Sequence, residues 1–186
     1  MSHNRCRWCN LHNPIYIGYH DNEWGIPVHD DRKLFELLVL ESFQAGLSWE
    51  TILNKRDNFR CAFDGFNPEI IQYYNDQKIQ SLMQNPGIIR NRRKIDAAVH
   101  NASVFLQIQK EWNGFSNYIW HFTDEKTVYE TGQICSPLSD RVAADLKKHG
   151  MKFIGTTIVY SFLQATGIIY SHDRECYLYQ ETPSGF

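Results

Sequence analysis

Cysteine and histidine residues near both ends of the chain form the first group whose spacing suggests chemistry. Thiolate and imidazole groups are the ligands that zinc takes in tetrahedral protein sites. Two ligands from each end would bind one zinc ion and join the termini, whereas the alternative is a set of unrelated free thiols and surface histidines. The candidates are Cys6, Cys9, His12 and His20 near the start, and His172 and Cys176 near the end.

Glu41 is a carboxylate on the apolar side of a predicted helix over 31–45. Leu37 and Leu38 lie one turn before it, and Ala45 lies one turn after it. Burial of an unpaired carboxylate costs several kcal/mol, so this side chain needs a partner or a functional role. The alternative is a partly exposed glutamate near the end of a helix.

Aromatic residues are concentrated near the N-terminus and just after Glu41. The group comprises Trp8, Tyr16, Tyr19, Trp24 and Trp49. Ring faces attract positive charge by ~0.5–2 kcal/mol each, and a carboxylate accepts hydrogen bonds. Together they suit a planar, cationic ligand that donates hydrogen bonds, although aromatic residues are also ordinary core material.

The segment around Gly87 predicts a helix, a tight glycine turn and a second helix, which resembles a helix–hairpin–helix element. Such a turn presents backbone N–H groups to a phosphate. Residues 86–110 carry a net charge of +4 and residues 141–152 a net charge of +3, whereas residues 21–41 hold six acids and two bases. Local basic surface of this kind is typical of contact with a DNA backbone. A solvated helix face is the alternative.

Composition limits the classes of protein that fit. The 186 residues suffice for one domain with its own core, and the net charge of −2 disfavours binding to nucleic acid through bulk charge. Five scattered cysteines favour a reducing compartment. No secretory leader and no apolar run of membrane-spanning length is recognised, so we expect a cytoplasmic protein without membrane contact.

The pattern of apolar residues predicts an all-α fold. The strand-like composition of residues 156–160 stands alone, so we interpret that segment as a buried helix. Ser139 is expected to cap its helix. Helices are predicted over 31–45, 49–63, 68–74, 76–83, 88–106, 115–122, 139–150 and 155–165, with a polar loop over 123–136.

Three long motifs follow one another in an order that is similar to the 3-methyladenine DNA glycosylase I family. They are YIGYHDNEWG at 16–25, QAGLSW at 44–49 and GTTIVYSF at 155–162. The hairpin at 87–90 and the terminal His172 and Cys176 fall in the family's order. The resemblance extends from Cys6 to Cys176, nearly the whole chain.

The resemblance implies a helix–hairpin–helix glycosylase fold with a zinc-clipped lobe formed by both termini. The whole chain would be one catalytic unit, with a core helical domain over about 27–110, its hairpin near 77–100, and a second lobe from 1–26 and 111–186. The implied activity is hydrolysis of the N-glycosidic bond of 3-methyladenine flipped out of alkylated double-stranded DNA, without lyase activity. A monomer with no obligate protein partner is expected.

The resemblance also implies roles for individual residues. Glu41 and Tyr19 would be catalytic, and Gly46 with Leu47 would probe the gap left by the flipped nucleotide. The base pocket would be Trp8, Tyr16, Tyr19, Glu41, Trp49 and Ser161. Other DNA contacts would be Gly87, Arg90, Arg92, Arg93 and Lys94. Structural zinc would be held by Cys6, His20, His172 and Cys176, with Cys9 as the competing ligand.

Overall fold

The structure of the protein is a computed structural model, which describes residues 3–181. Within this range, ten α-helices and two short 3₁₀ helices account for the regular structure, apart from two paired strands of two residues each. The α-helices are α1 (Pro14–Asn22), α2 (Asp31–Gln44), α3 (Trp49–Leu53), α4 (Arg56–Ala62), α5 (Pro68–Ile71), α6 (Asp76–Gln84), α7 (Arg92–Trp112), α8 (Phe115–Trp120), α9 (Pro137–Lys148) and α10 (Thr156–Ala165). The 3₁₀ helices are Asp64–Phe66 and His121–Thr123, and the strands are β1 (Val128–Tyr129) and β2 (Ile169–Tyr170).

Helix α2 lies at the centre of the molecule, since every residue from Leu34 to Phe43 is buried. It packs against α7, α8 and α10. Buried residues from Cys6 to Cys176 form one hydrophobic cluster that includes both terminal segments. The predicted all-α class is confirmed, because β1 and β2 form only a two-stranded parallel pair. The division of the chain into a core domain and a terminal lobe stays a prediction.

Several helix boundaries differ from those expected for local reasons. Helix α7 begins at Arg92 rather than at residue 88, because the side chain of Asn91 accepts a hydrogen bond from the backbone N–H of Lys94 and caps the helix there. Helix α9 is capped by Ser136 rather than by Ser139. Ser139 instead completes a reciprocal capping box three residues into the helix.

Two other differences concern whether a helix exists or continues. Helix α1 was not predicted, although Asn13 caps it and Pro14 occupies its first turn. The same Asn-Pro signal begins α5, which the sequence did predict. The predicted helix over 49–63 is divided into α3 and α4, with the break at Asn54 and Lys55.

The turn between α6 and α7 is held close to the rest of the protein. A Cβ atom at Gly87 would lie 3.0 Å from Oδ1 of Asn85 and 3.1 Å from the side chain of Asn58, so a larger residue would require these side chains to shift by a few tenths of an ångström. The ammonium group of Lys55 donates a hydrogen bond to the Pro86 carbonyl at 3.0 Å. Among residues 3–181, no helix combines the length and the hydropathy needed to cross a lipid bilayer.

Candidate active site and metal centre

A cavity of about 310 Å³ lies where α1, α2, α3 and α10 meet. This volume is at the lower end of the roughly 300–1,000 Å³ found for small-molecule sites, which suits a ligand the size of one base. All six residues predicted for the base pocket line it. The lining is Trp8, Tyr16, Tyr19, Trp24, Glu41, Gln44, Trp49, Gly132, Gln133, Ser161, Gln164, Ser171 and Asp173.

Aromatic rings form one side of the cavity. The ring centroid of Trp8 is 5.4 Å from that of Tyr16 and 4.8 Å from that of Trp24. The rings of Tyr19 and Trp49 lie 5.3 Å apart. Their contacts with one another hold the rings in fixed orientations and leave the remaining ring surface to face a ligand.

Glu41 projects from the buried helix α2, and only 4% of its surface is exposed. Its Oε2 atom has no hydrogen-bond partner among the described residues. Burial raises the pKa of Glu41 from its usual 4.5 to about 8, and no cation among residues 3–181 opposes the effect. A carboxyl group held in this way is suited to a ligand that brings its own positive charge or hydrogen-bond donor.

Trp49 and Tyr19 add hydrogen-bond donors to the cavity. The Nε1 atom of Trp49 is a donor that also lacks a partner in the part of the chain described. Burial raises the pKa of Tyr19 well above 10, so its phenol stays neutral and keeps its proton. Glu41 therefore offers an acceptor, and Trp49 and Tyr19 offer donors, to the edge of a planar ligand.

Sequence reasoning did not assign several residues of the lining to the site. Gln44 lies three residues after Glu41 and Gln164 three residues after Ser161, so helical spacing alone was a sufficient signal for these two. Ser171 and Asp173 flank the predicted ligand His172, and Gly132 and Gln133 come from the loop after β1. No sequence pattern pointed to this loop.

The four predicted metal ligands lie together in a buried cluster. The candidate ligand atoms of Cys6, His20, His172 and Cys176 all lie within 4.8 Å of one another. The sulfur of Cys176 is 3.5 Å from Nε2 of His20 and 3.6 Å from Nδ1 of His172. Two sulfur and two nitrogen donors in this arrangement could hold one metal ion.

Neighbouring groups orient this cluster as expected for ligands. The Nδ1 atom of His20 is 2.8 Å from a carboxylate oxygen of Asp21, which leaves Nε2 to face the cluster. The same carboxylate accepts hydrogen bonds from Arg5. Burial raises the pKa of the Cys6 thiol, so a thiolate there requires a nearby cation. These donors therefore fit a bound metal ion.

Cys9 lies outside the cluster. Its thiol is buried and donates to the backbone carbonyl of Tyr16 at 3.8 Å. The competing ligand considered from the sequence is therefore directed toward α1 rather than toward the group of four.

The residues predicted to contact DNA occupy two turns. Gly46 has a φ of +82°, which favours glycine, and Leu47 next to it has 41% of its surface exposed. Arg90 and Arg93 are exposed near the start of α7. Arg92 also lies there, but its guanidinium pairs with Asp96 and Asp76.

Lys94 differs from the exposed position expected for a phosphate contact. It is buried, with 8% of its surface exposed. Its ammonium group donates hydrogen bonds to the carbonyl oxygens of Phe43 at 2.9 Å and Ala45 at 2.6 Å. The Lys94 ammonium therefore stabilises carbonyl groups at the C-terminal end of α2 inside the protein.

Comparison with known proteins identifies the relatives of this fold. The family model described as Methyladenine glycosylase matches residues 8–179. DNA-3-methyladenine glycosylase 1 of Escherichia coli (strain K12) is 41% identical over 181 residues, which cover 94% of this chain and 96% of that protein.

Solved structures agree with the sequence match. A crystal structure of 3-methyladenine DNA glycosylase I has a TM-score of 0.91 and 43% identity, covering 95% of this chain and 100% of that one. A variant of 3-methyladenine DNA glycosylase I in complex with 3-methyladenine has a TM-score of 0.89 and 35% identity, covering 94% and 96%.

The helical fold, the base-sized cavity and these relatives define a DNA glycosylase, a hydrolase of N-glycosidic bonds. Within that class, the chain belongs to the methyladenine glycosylase family.

Proposed function

We propose that the cavity receives 3-methyladenine flipped out of alkylated double-stranded DNA, and that the protein hydrolyses its N-glycosidic bond and leaves an abasic site. A base inside a duplex is inaccessible, so extrusion at a cost of a few kcal/mol precedes the reaction. The observation that carries this proposal is the buried carboxyl group of Glu41 on a base-sized aromatic cavity, with its Oε2 atom unpartnered among the described residues.

Charge gives the cavity its selectivity in this proposal. Methylation at N3 makes the adenine of the nucleotide cationic, whereas ordinary adenine is neutral. The rings of Trp8, Tyr19 and Trp49 stabilise the cation through their faces. Burial keeps Glu41 protonated in the empty cavity, and entry of the cationic base drives its proton to solvent. The resulting carboxylate accepts a hydrogen bond from the edge of the base and supplies the opposite charge, which is worth more in a buried site than in water.

The cationic base is already a good leaving group, so the reaction demands little from the protein. We assign Glu41 and Tyr19 as catalytic residues: Glu41 holds the base in position, and the neutral Tyr19 phenol supports the ring and keeps its proton. Tyr16 and Ser161 complete the pocket.

We assign zinc as the ion of the buried cluster, because two sulfur and two imidazole ligands form a typical structural zinc site. The ligands are Cys6, His20, His172 and Cys176, and with no ligand position left for water the ion has a structural role. It joins the N-terminal segment to the C-terminal segment, and both segments contribute residues to the cavity wall.

The two exposed turns form the DNA contact in this proposal. Leu47, presented by Gly46, fills the gap left by the flipped nucleotide. The α6–α7 turn around Gly87 acts as a helix–hairpin–helix element that contacts a phosphate, with Arg90, Arg92 and Arg93 nearby. The protein is proposed to act as a cytoplasmic monomer without a protein partner.

Release of bases from methylated DNA tests this function. The purified protein is incubated with DNA treated with a methylating agent, and the released bases are separated and identified. Release of 3-methyladenine as the main product is expected. Release of a different alkylated base would assign the cavity to another lesion, and release of none would reduce the chain to a DNA-binding module.

A further inference from the structure

Lys94 connects the two turns that face DNA. It belongs to the first turn of α7, directly after the hairpin and next to Arg93. Its ammonium group reaches across to the carbonyl oxygens of Phe43 and Ala45, which precede Gly46. One side chain thus bridges segments that are about fifty residues apart in sequence.

The contact has the chemistry of a helix C-terminal cap. The last carbonyl groups of a helix lack partners within the helix, and a cation placed there interacts favourably with the helix dipole. Lys94 supplies these hydrogen bonds from α7, so the cap of α2 comes from a different helix. Because Lys94 is buried and directed inward, its charge is not on the surface that phosphates would meet.

The capped carbonyl groups belong to the segment that presents Leu47. The chain leaves α2 at Ala45, turns at Gly46, and the backbone N–H of Leu47 donates to the carbonyl of Gln44 at 2.6 Å. Fixing Ala45 therefore fixes the direction in which Leu47 projects. Lys94 does not line the cavity, so this effect is separate from base binding.

We propose that Lys94 is a positioning residue that fixes the Gly46–Leu47 turn relative to the α6–α7 hairpin. The hairpin can then bind the DNA backbone while Leu47 fills the gap left by the flipped nucleotide. The inference rests on the proposed DNA-contact roles of Leu47 and the hairpin. In this proposal Lys94 contacts carbonyl groups inside the protein and does not contact a phosphate directly.

Salt dependence distinguishes the two roles. Binding to a duplex that contains an abasic-site analogue is measured for Lys94→Met and for the exposed neighbour Arg93→Met over a range of salt concentrations. A direct phosphate contact lowers the slope of log K against log salt by about 1. We expect that reduction for Arg93→Met and an unchanged slope for Lys94→Met; a reduced slope for Lys94→Met would overturn the proposal.

A double-mutant cycle tests whether Lys94 acts through Leu47. Lys94→Met is expected to lower the single-turnover excision rate about tenfold on duplex DNA, and to add little in a Leu47→Ala background. Affinity for free 3-methyladenine should stay within about twofold of the wild-type value. Full additivity would exclude this mechanism, whereas a normal rate for Leu47→Ala alone would refute the proposed role of Leu47 instead.

Lysine modification of the wild-type protein gives a result that does not depend on the folding of a variant. The native protein without DNA is acetylated briefly, and the modified lysines are identified by mass spectrometry. Lys94 is expected to be protected, whereas the exposed Lys110 reacts. Equal reaction of both residues would show that the Lys94 ammonium is free, and the proposal would fail.

Discussion

The indole ring of Trp8 separates the cavity from the metal cluster: its centroid lies 5.2 Å from that of the His20 imidazole. A second contact of the same kind joins Trp24 and His172, at 4.7 Å. Trp8 and Trp24 also touch each other and both line the cavity. Two of the candidate metal ligands therefore support the wall of the base site, and the metal is expected to affect base binding as well as stability.

Loss of one metal ligand should weaken both properties. For Cys176→Ser we expect less than one metal ion per chain after exposure to a chelator. Loss of a structural cross-link typically costs about 3 kcal/mol, which corresponds to a Tm about 6–12 °C lower for a chain of this size. Affinity for free 3-methyladenine should also fall, because the His20 ring that packs against Trp8 is no longer held by the metal.

Cys9→Ser is the matched control, because the thiol of Cys9 is buried but lies outside the cluster. Elemental analysis of the wild type should give one zinc ion per chain, and Cys9→Ser should retain it. A wild-type protein purified without chelator that contains no metal would refute the assignment. So would a Cys176→Ser variant with undiminished metal content.

Replacement of Glu41 by glutamine should abolish most excision while the fold survives. The amide keeps the shape but removes the negative charge, and loss of one charge-assisted contact of about 2.7 kcal/mol corresponds to about 100-fold in kcat/KM. Release of 3-methyladenine from methylated DNA measures the effect. Glu50→Gln is the control, since Glu50 accepts hydrogen bonds from Asn10 and Asn13 outside the cavity; equal rates for both variants would contradict the assignment.

The pH dependence of stability gives an independent test of the Glu41 environment. Burial raises the pKa of Glu41 from 4.5 to about 8. Between these values the folded protein binds more protons than the unfolded chain, so stability should fall as pH rises from 4.5 to 8. Each pKa unit corresponds to about 1.4 kcal/mol, which sets an upper limit of about 5 kcal/mol.

Urea unfolding of the wild type and of Glu41→Gln at several pH values isolates this contribution, since the other titrating groups are common to both proteins. The variant should gain stability relative to the wild type as the pH increases toward 8. Parallel curves for the two proteins would show that the carboxyl group is solvated in the folded state.

Part of the cavity lining could be predicted from the sequence, because some of these residues lie on helices with clear patterns. Glu41 interrupts an apolar stripe on α2, and this position predicts a buried carboxyl group with a functional role. Its buried Oε2 atom, unpartnered among the described residues, agrees with that prediction. Tyr16 and Tyr19 gave a weaker signal: α1 itself was not predicted, yet the spacing of three places both rings on one face. The family motifs supplied Ser161, for which no physical pattern existed.

Other features depended on contacts between distant segments, which a local pattern does not encode. The sequence counted Lys94 with the exposed basic residues, since nothing near it showed that carbonyl groups of α2 would lie within reach. Gln133 reaches the cavity from a loop whose path is set by the β1–β2 pairing. The start of α7 differs from the start predicted by apolar periodicity, because the side chain of Asn91 caps the helix at a later residue.

Leu47 offers a prediction that separates DNA probing from base binding. It is exposed on the turn between Gln44 and Trp49, both of which line the cavity, so it stands next to the point where a base would enter.

Truncation in Leu47→Ala should lower excision from duplex DNA about tenfold, because loss of the apolar contact within the base stack costs about 1–2 kcal/mol. Excision from single-stranded DNA, where no gap has to be filled, should change little. Ile70→Ala is the matched control, since Ile70 is an aliphatic residue of similar exposure on α5. A similar loss on both substrates would mean that Leu47 supports the cavity rather than the duplex.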